Sequence, residues 1–363
     1  MTDVIALARP EIRALQPYQH AAWDPSLERM HANEMPWRAT GDESAAGLNR
    51  YPEPRPEALI ERLAALYGVP AGRILAARGS DEAIDLLVRA FCRAGRDAIA
   101  ICPPTFGYYA VAARIQGADV HEVPLRAGNF ALDVEALVAT DEAVKLLFLC
   151  SPNNPTGNLL DESGVLEICA ALAARALVVV DEAYVEFSGR ASLAGRLSEF
   201  PNLVVLRTLS KAYALAGARC GALLASAAIV ELLSRILPPY ALTAPTIEAV
   251  MRLTAEPQRR ETETRIATIL AERARLCTRL AVLPGVRRVL PSDANFLLAE
   301  FREPQAAADA ARTAGLLVRD FSANPRLPGC LRITLGTPDQ NDRLLAALSG
   351  ARVGPARPRA AAG

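Results

Sequence analysis

The stretch Thr208-Leu209-Ser210-Lys211, followed by Arg219, decides how the rest of the chain is interpreted. Lys145 and Lys211 are the only lysines in a chain with 40 basic residues. Arginine replaces lysine on a solvated surface, but not where an amine must act as a nucleophile, because the guanidinium stays protonated. Lys211 follows the apolar run 203–206, which predicts a loop after a strand, where α/β folds place their chemistry. Lys211 is therefore a candidate nucleophile, although an ordinary solvated lysine also fits this stretch taken alone.

Composition and charge exclude several classes of protein. The 363 residues are 51% hydrophobic and carry no formal net charge, which indicates a globular protein with no nucleic-acid or anionic-membrane partner. No apolar run reaches the roughly 20 residues of a membrane span, and the N-terminus lacks the pattern of a secretion signal. The seven cysteines are scattered without a C-x-x-C pair. They predict buried thiols in a reducing, cytoplasmic compartment, with no metal site.

Strand and helix patterns alternate from about residue 74 to residue 225. The predicted strands are 74–77, 98–102, 144–150, 176–180, 203–206 and 220–225. This alternation predicts an α/β domain with a mainly parallel sheet. Four strand ends in succession are followed by polar or aromatic residues, so one rim of the sheet is expected to carry the site.

The chain is expected to contain two domains. Pro238-Pro239 marks a break, after which a long helix at about 244–280 would lead into a smaller domain. Residues 1–45 are predicted to form an N-terminal arm and part of the small domain, and residues 46–243 a large α/β domain. Residues 244–350 are predicted to form a small C-terminal domain, and residues 351–363 a disordered tail.

Four stretches beside the predicted strands carry candidate chemistry. The carboxylate of Asp181, at the end of a buried strand, costs free energy unless a cation or hydrogen bonds compensate it. The turn Gly79-Ser80-Asp81-Glu82 opens a helix and presents backbone N–H groups to an anion. Two prolines and two asparagines fix the geometry of the loop 151–157. The aromatic stretch 105–109 follows another strand, where packing under a loop is the plainer interpretation.

Together these stretches resemble those of fold-type-I pyridoxal-phosphate (PLP) aminotransferases, and among them the family of histidinol-phosphate aminotransferases. No single motif carries the resemblance, because six separate stretches occur in the family's order. The stretches run from Leu15-Gln16-Pro17-Tyr18-Gln19 to Leu331-Arg332-Ile333-Thr334-Leu335-Gly336, with the loops 151–157, 181–184 and 208–211 and Arg219 between them. The implied fold is a large, mainly parallel α/β domain with a smaller α+β C-terminal domain.

The resemblance implies a catalytic role for three residues and cofactor contacts for others. Lys211 would be the nucleophile that binds the cofactor and the general base that moves a proton. Asp181 would keep the pyridine nitrogen protonated, so that the ring can accept electrons. Asn154 and Tyr184 would bind the ring oxygen, with Tyr184 counted among the catalytic residues, and Phe106 would lie flat on the ring. The family often has tyrosine in place of Phe106, so stacking is retained and a hydroxyl is lost.

The cofactor phosphate would be held by several groups. By resemblance, Ser80 and Asp81 offer backbone N–H groups, Ser210 offers a hydroxyl and Arg219 offers positive charge. Tyr51 would reach the cofactor phosphate of the neighbouring subunit. The resemblance therefore implies a homodimer with shared active sites.

The substrate would be bound by residues from both ends of the chain. Arg332 corresponds to the family's carboxylate-binding arginine, for which a planar guanidinium is well suited. Arg319 and Tyr18 would contact the substrate phosphate, and Asn154 would also lie beside the substrate. A surface position remains an alternative for Arg319.

The expected reaction is a ping-pong transfer of the amino group of L-histidinol phosphate to 2-oxoglutarate, in histidine biosynthesis. Alternatives of the same fold are an aromatic amino-acid aminotransferase and a threonine-phosphate decarboxylase. A hydrolase using Ser210 and Lys211 is a different class, but adjacent residues of an extended chain point to opposite sides. A non-catalytic protein of this fold is the third class. A visible spectrum distinguishes these classes. Only a bound cofactor absorbs visible light, and only a reactive one changes its absorption when substrate is added.

Overall fold

The computed structural model describes residues 3–20, 23–24 and 26–350, so the tail predicted to be disordered lies outside the described residues. The described residues divide into two compact units. The first unit comprises residues up to Asn154 together with Leu159–Glu263, and the second comprises Pro155–Asn158 together with residues from Thr264 onward. The boundaries predicted from the sequence, at 45/46 and 243/244, stay a prediction.

The first unit contains a seven-stranded sheet among its described residues. Its strands in chain order are β1 (Ile74–Ala77), β2 (Ala98–Ile101), β3 (Asp119–Glu122), β4 (Val144–Cys150), β5 (Leu177–Asp181), β6 (Leu203–Thr208) and β7 (Gly221–Leu224). The order across the sheet is β1-β7-β6-β5-β4-β2-β3. Strands β2 to β6 are parallel, whereas β7 runs antiparallel to both β1 and β6. The predicted mainly parallel α/β sheet is confirmed.

The central strands are buried because their sequences are continuously apolar and helices cover the sheet. Their register fixes where they end. Cys150 of β4 pairs with Asp181 of β5, and Asp181 pairs with Leu206 of β6. The loops after β4, β5 and β6 therefore start side by side at one rim of the sheet.

Helices precede, connect and follow the strands of this sheet. They are α1 (Pro10–Ala14), α2 (Glu57–Tyr67), α3 (Ser80–Phe91), α4 (Tyr108–Gln116), α5 (Val134–Val138), α6 (Glu162–Leu172), α7 (Ala227–Ser234), α8 (Ala244–Leu253) and α9 (Glu256–Ala281). Short 3₁₀ turns occur at Val4–Leu7, Ala71–Arg73, Val185–Phe187, Leu193–Arg196 and Ala216–Ala218. No helix within the described ranges is long and apolar enough to cross a membrane.

The long helix predicted at 244–280 is wrong as a single element, because α8 and α9 are separate. Thr254 lies between them and is buried. Its backbone N–H and its hydroxyl both donate to the carbonyl of Val250, at 3.0 and 2.7 Å. Pro257 explains the break, because a proline has no N–H for a helical hydrogen bond and its ring clashes with the carbonyl of residue 253, so α9 starts with Pro257 in its first turn.

The second unit contains a four-stranded antiparallel sheet in its described part, with the order β10-β11-β9-β8. Its elements are β8 (Val286–Val289), β9 (Phe296–Phe301), α10 (Pro304–Thr313), β10 (Arg319–Asp320), β11 (Cys330–Thr334) and α11 (Pro338–Gly350). Alternate residues of β9 and β11 pack with apolar residues of α9, α10 and α11 into one core. This is the smaller α+β domain that the sequence predicts near the C-terminus.

Candidate active site

Asp181 is a buried carboxylate at the end of β5. Its Oδ2 accepts a hydrogen bond from the hydroxyl of Tyr109 at 2.8 Å, and its Oδ1 accepts one from the N–H of Ala183 at 3.1 Å. Burial raises the pKa of Asp181 to about 6, although both hydrogen bonds act against the rise. Both donors are neutral, so a cation beside this carboxylate would complete its pairing. A protonated ring nitrogen fits that position chemically.

Tyr109 is a site residue that the sequence did not reveal. It lies on α4, is fully buried, and stacks on Phe148 with ring centroids 4.8 Å apart and planes inclined by 11°. Phe106 contacts it edge-on at 5.5 Å. The run of aromatics at 105–109 signalled packing, but only the folded chain shows that one hydroxyl reaches Asp181.

Lys211 lies in the loop after β6, next to the loop that follows β5. Its Nζ is 5.7 Å from the centroid of the Tyr184 ring. It is also close enough to Asp181 to oppose the pKa rise that burial causes there. The structure thus brings together the three residues predicted to be catalytic. Tyr184 is buried whereas Lys211 is exposed, so the amine is accessible to a small molecule.

A cluster at the start of α3 has the chemistry of an anion site. The helix begins after Gly79, whose φ is +84°, and no side chain caps its first turn. Four N–H groups at a helix start lack partners within the helix and attract anions. A side chain at Gly79 would place its Cβ 2.9 Å from Nη2 of Arg219. Glycine therefore allows the guanidinium to approach the helix start.

Arg219 itself has left-handed backbone dihedrals, with φ 54° and ψ 56°. This conformation is uncommon for arginine and is retained only where the surroundings impose it. Its Nη2 donates to Asp81 at 3.1 Å. Ser210 lies nearby in the chain, with its N–H donating to Thr208 Oγ1 at 3.2 Å. Free N–H groups, a hydroxyl and a guanidinium fit a phosphate dianion.

The loop after β4 is held by an asparagine next to the predicted one. Asn153 is buried, donates through Nδ2 to the carbonyl of Pro104 at 2.8 Å and accepts from Thr105 Oγ1 at 2.9 Å. These bonds fix the loop after β4 against the loop after β2. Asn154 is the next residue and is half-buried. Its predicted contact with the ring oxygen stays a prediction.

Two arginines of the second unit lie side by side. Arg319 of β10 pairs with Arg332 of β11 in the antiparallel register. The Cζ atoms of Arg319 and Arg332 lie 5.9 and 5.5 Å from the ring centroid of Phe321, and that of Arg332 lies 5.3 Å from Phe296. Both side chains therefore lie against the same aromatic ring.

Tyr18 and Tyr51 belong to one aromatic group of the first unit. Tyr51 stacks on Tyr240 at 4.5 Å, Tyr18 meets His20 edge-on at 5.5 Å, and His20 is 5.5 Å from Tyr240. The exposed fractions of Tyr18 and Tyr51 are 69% and 50%. At least half of the surface of each of these two tyrosines is therefore accessible to a ligand or to another protein surface.

The chain matches the family described as Aminotransferase class I and II over residues 27–348. It is 47% identical to the histidinol-phosphate aminotransferase of Stenotrophomonas maltophilia over 356 residues, which cover 96% of this chain and 98% of that protein.

Solved structures show the same similarity. The histidinol-phosphate aminotransferase of Sinorhizobium meliloti in complex with pyridoxal-5'-phosphate aligns with a TM-score of 0.76 and 26% identity, covering 84% of this chain and 83% of that one. The L-threonine-O-3-phosphate decarboxylase of Porphyromonas gingivalis aligns with a TM-score of 0.71 and 26% identity, covering 83% and 90%.

Proposed function

Since the chain belongs to the aminotransferase class I and II family, we propose that it transfers the amino group of L-histidinol phosphate to 2-oxoglutarate. The products are imidazole-acetol phosphate and L-glutamate, in the biosynthesis of histidine. The 47% identity to a histidinol-phosphate aminotransferase over 96% of this chain is the observation that carries this choice of substrate. The cofactor is pyridoxal phosphate.

Each rim residue has a task that its surroundings support. When bound, pyridoxal phosphate supplies a ring that withdraws electrons from the reacting carbon. Lys211 Nζ would hold the cofactor and, once released, accept the proton from the amine-bearing carbon of the donor. Asp181 would hold the proton on the ring nitrogen. Tyr184, whose ring centroid lies 5.7 Å from Nζ of Lys211, would donate its hydroxyl to the ring oxygen of the cofactor.

The remaining contacts with the cofactor involve its phosphate, its ring oxygen and one face of its ring. The N–H groups of Ser80 and Asp81, the hydroxyl of Ser210 and the guanidinium of Arg219 would bind the phosphate. Asn154 would donate to the ring oxygen, and Phe106 would cover one face of the ring. Phe106 also contacts Tyr109, whose hydroxyl donates to Asp181.

The substrate's own charges would be met by arginines. Arg332 would bind a carboxylate of the acceptor and Arg319 the phosphate of the donor, with Tyr18 beside it. The two residues pair across the strands, and their Cζ atoms lie 5.9 and 5.5 Å from the Phe321 ring centroid, which suits substrates that carry more than one negative charge.

We further propose that the enzyme is a homodimer whose active sites include Tyr51 of the neighbouring subunit. The segment 15–51 exposes many large apolar side chains, and such a concentration is typical of a protein interface. Those with the largest exposed fractions are Met30 at 97%, Trp37 at 73%, Tyr18 at 69%, Leu27 at 67% and Met35 at 65%. The cytoplasm is the proposed location, because all seven cysteines are free.

An assay with three donors tests the reaction. The purified protein is supplied with pyridoxal phosphate, 2-oxoglutarate and L-histidinol phosphate, L-phenylalanine or O-phosphothreonine, and both glutamate and carbon dioxide are measured. We expect glutamate formation with the highest kcat/KM for L-histidinol phosphate. The threonine-phosphate decarboxylase alternative is favoured only by the 26% identical structure. Carbon dioxide without glutamate would establish that alternative, and a preference for phenylalanine would establish an aromatic aminotransferase.

A further inference from the structure

Arg207 is a buried arginine on β6, the strand that leads into the loop that carries Lys211. It is the last residue but one of β6, and only 6% of its surface is exposed. Its Nη2 donates to Glu186 Oε1 at 2.7 Å, and its Nη1 lies 3.7 Å from Glu182 Oε2. Its Cζ lies 4.6 Å from the ring centroid of Tyr67. We call Arg207, Glu182 and Glu186 the ion cluster.

The ion cluster brings one guanidinium and two carboxylates together with little exposure to solvent. Burial lowers the pKa of Arg207, but Glu186 and Glu182 outweigh it and raise that pKa above its ordinary value. Burial raises the pKa of Glu182, while Arg207 acts in the opposite direction. Removing one member of such a cluster leaves an uncompensated charge, whereas replacing all of it by neutral groups is often nearly neutral for stability. Stability alone therefore does not explain why the cluster is ionic.

The cluster fixes the loop that carries Tyr184. Glu182 follows Asp181 directly, and successive side chains of an extended chain point to opposite faces. Asp181 thus meets Tyr109 on one face, whereas Glu182 meets Arg207 on the other. Because Tyr184 lies between Glu182 and Glu186, both ends of its segment are tied to the same guanidinium.

The adjoining segment is tied to the cluster as well. Glu182 accepts hydrogen bonds from the N–H of Leu193 at 2.7 Å and from the hydroxyl of Ser192. The 3₁₀ turn at Leu193–Arg196 therefore starts at this carboxylate. The cluster is the point where β6, the loop after β5 and this turn meet.

The loop that carries Lys211 is also connected to the cluster. Arg207 lies four residues before Lys211 on the strand that leads into this loop. Tyr213 lies two residues after Lys211 and is half-buried. Burial, and after it the charge of Glu186, raises the pKa of Tyr213 to about 12. The strand that carries Arg207 therefore leads directly into the loop that carries Lys211, and Glu186 of the cluster acts electrostatically on Tyr213 in that loop.

We propose that Arg207 is a positioning residue, which holds the Tyr184 loop and the Lys211 loop against each other so that the amine keeps its place beside the ring. The role rests on the proposed function, in which both loops contact the cofactor. An arginine suits it because a planar guanidinium can reach two carboxylates at once in a fixed geometry. A lysine keeps the charge but offers a single flexible ammonium.

Two variants of the full chain separate positioning from stability. Arg207→Lys keeps the charge and loses the planar fork. The triple variant Arg207→Met, Glu182→Gln, Glu186→Gln removes all three charges together, which limits the cost of an unpaired charge. The matched control is Arg312→Lys on α10, in an exposed ion pair with Asp309 at 3.0 Å.

Three quantities are measured: the affinity of the apoprotein for pyridoxal phosphate, the pH midpoint of the visible band of the bound cofactor without substrate, and kcat separately from KM. We expect both cluster variants to bind the cofactor about tenfold more weakly, to shift the midpoint, and to lose about tenfold in kcat with little change in KM. The control should match the wild type in all three.

The contrary result is that both variants differ from the wild type in melting temperature alone, with unchanged cofactor affinity, pH midpoint and kcat. That result would show that Arg207 is merely structural. If Arg207→Lys does not fold, the triple variant decides by the same measurements, and failure of both to fold would also contradict the proposal. An error in the assigned substrate appears separately, because the wild-type protein would then bind cofactor normally and leave L-histidinol phosphate unchanged.

Discussion

The rim formed by Asp181, Tyr184 and Lys211 differs from the segment 15–51, which is called the arm from here on and extends the predicted N-terminal arm to Tyr51. The two regions differ in the kind of group that lacks a favourable partner within the chain. At the rim, the carboxylate of Asp181 is buried, is placed by strands in register, and accepts hydrogen bonds only from neutral donors. In the arm, large apolar side chains are exposed, Met30 by 97% and Trp37 by 73%. A buried carboxylate is stabilised by a small cation, whereas exposed apolar surface is stabilised by another protein surface. The rim is therefore suited to a cofactor and the arm to a second subunit.

The first prediction removes the amine from the rim. Lys211→Arg keeps the positive charge, but its guanidinium cannot replace the nucleophilic amine. We expect a folded protein without the visible band of lysine-bound cofactor, and transamination reduced by roughly 10³-fold or more. Absorption spectra and initial rates measure both effects.

Lys145→Arg is the matched control, because Lys145 is the only other lysine. Its Nζ donates to the carbonyl of Glu142 at 2.8 Å, away from the rim. The control should keep the spectrum and the rate of the wild type. A Lys211→Arg protein with near-normal turnover would overturn the assignment of the rim as the active site.

The second prediction removes the charge at Asp181 and keeps its shape. Asp181→Asn should fold and bind pyridoxal phosphate, but lose about 100-fold in kcat because the ring nitrogen has no ionic partner. An unchanged kcat would mean that another group protonates the ring.

The same variant gives a stability test of the buried charge. Burial raises the pKa of Asp181 to about 6 in the folded apoprotein, above its ordinary value of 3.8. The carboxyl therefore favours folding at low pH, and this contribution is lost as pH rises through about 6. Asp181→Asn should remove this pH dependence, so that the apoprotein variant melts at least as high as the wild type at pH 7. A clearly lower melting temperature would contradict the account of the burial cost.

Much of the rim could be predicted from the sequence, because residue type and place in a strand pattern carry the information. Asp181 ends a continuous apolar run and Lys211 follows another, so both were expected at one rim. The antiparallel direction of β7 could not be predicted, since a short apolar run does not encode direction. Arg207 could not be identified either, because an arginine within a strand pattern is usually a surface charge, and only the fold brings two carboxylates to it.

The third prediction tests the hydroxyl that Tyr109 donates to Asp181. Tyr109→Phe keeps the stacking on Phe148 and removes one hydrogen bond to a charged group, so the affinity for pyridoxal phosphate should fall about tenfold. Losing this donor raises the pKa of Asp181 further. The cofactor should therefore be released on acidification at a higher pH than from the wild type.

The charged and titratable groups that interact with Asp181 are Tyr109, Cys150, Asp81 and Lys211, and of these only Tyr109 is changed here. Tyr108→Phe is the control, since it removes the neighbouring hydroxyl of the same helix. Fluorescence titration of the apoprotein and a pH series of cofactor release measure both quantities. Equal release curves for Tyr109→Phe and wild type would show that the phenol does not hold Asp181 ionised.

The last prediction tests the arm, and it depends on Tyr51 acting across a dimer. Tyr51→Phe should cost about fivefold in activity, the loss of one partly exposed hydrogen bond. Lys211→Ala should be inactive. In a heterodimer of the two, one site combines both substitutions and the other has neither, if Tyr51 contributes to its neighbour's site. Heterodimers should then show about half the activity of the wild-type dimer, because one of two independent sites is intact.

Co-expression with two different tags and tandem purification isolate the heterodimers, so the measurement does not depend on subunit exchange. If Tyr51 acts within its own subunit, the only working site carries Tyr51→Phe, and the heterodimer would show about half the activity of that parent, or roughly a tenth of wild type. The two outcomes differ about fivefold. Activity at the lower value would show that Tyr51 acts within its own subunit. A protein that is monomeric at assay concentration would show that the exposed apolar surface of the arm serves another purpose.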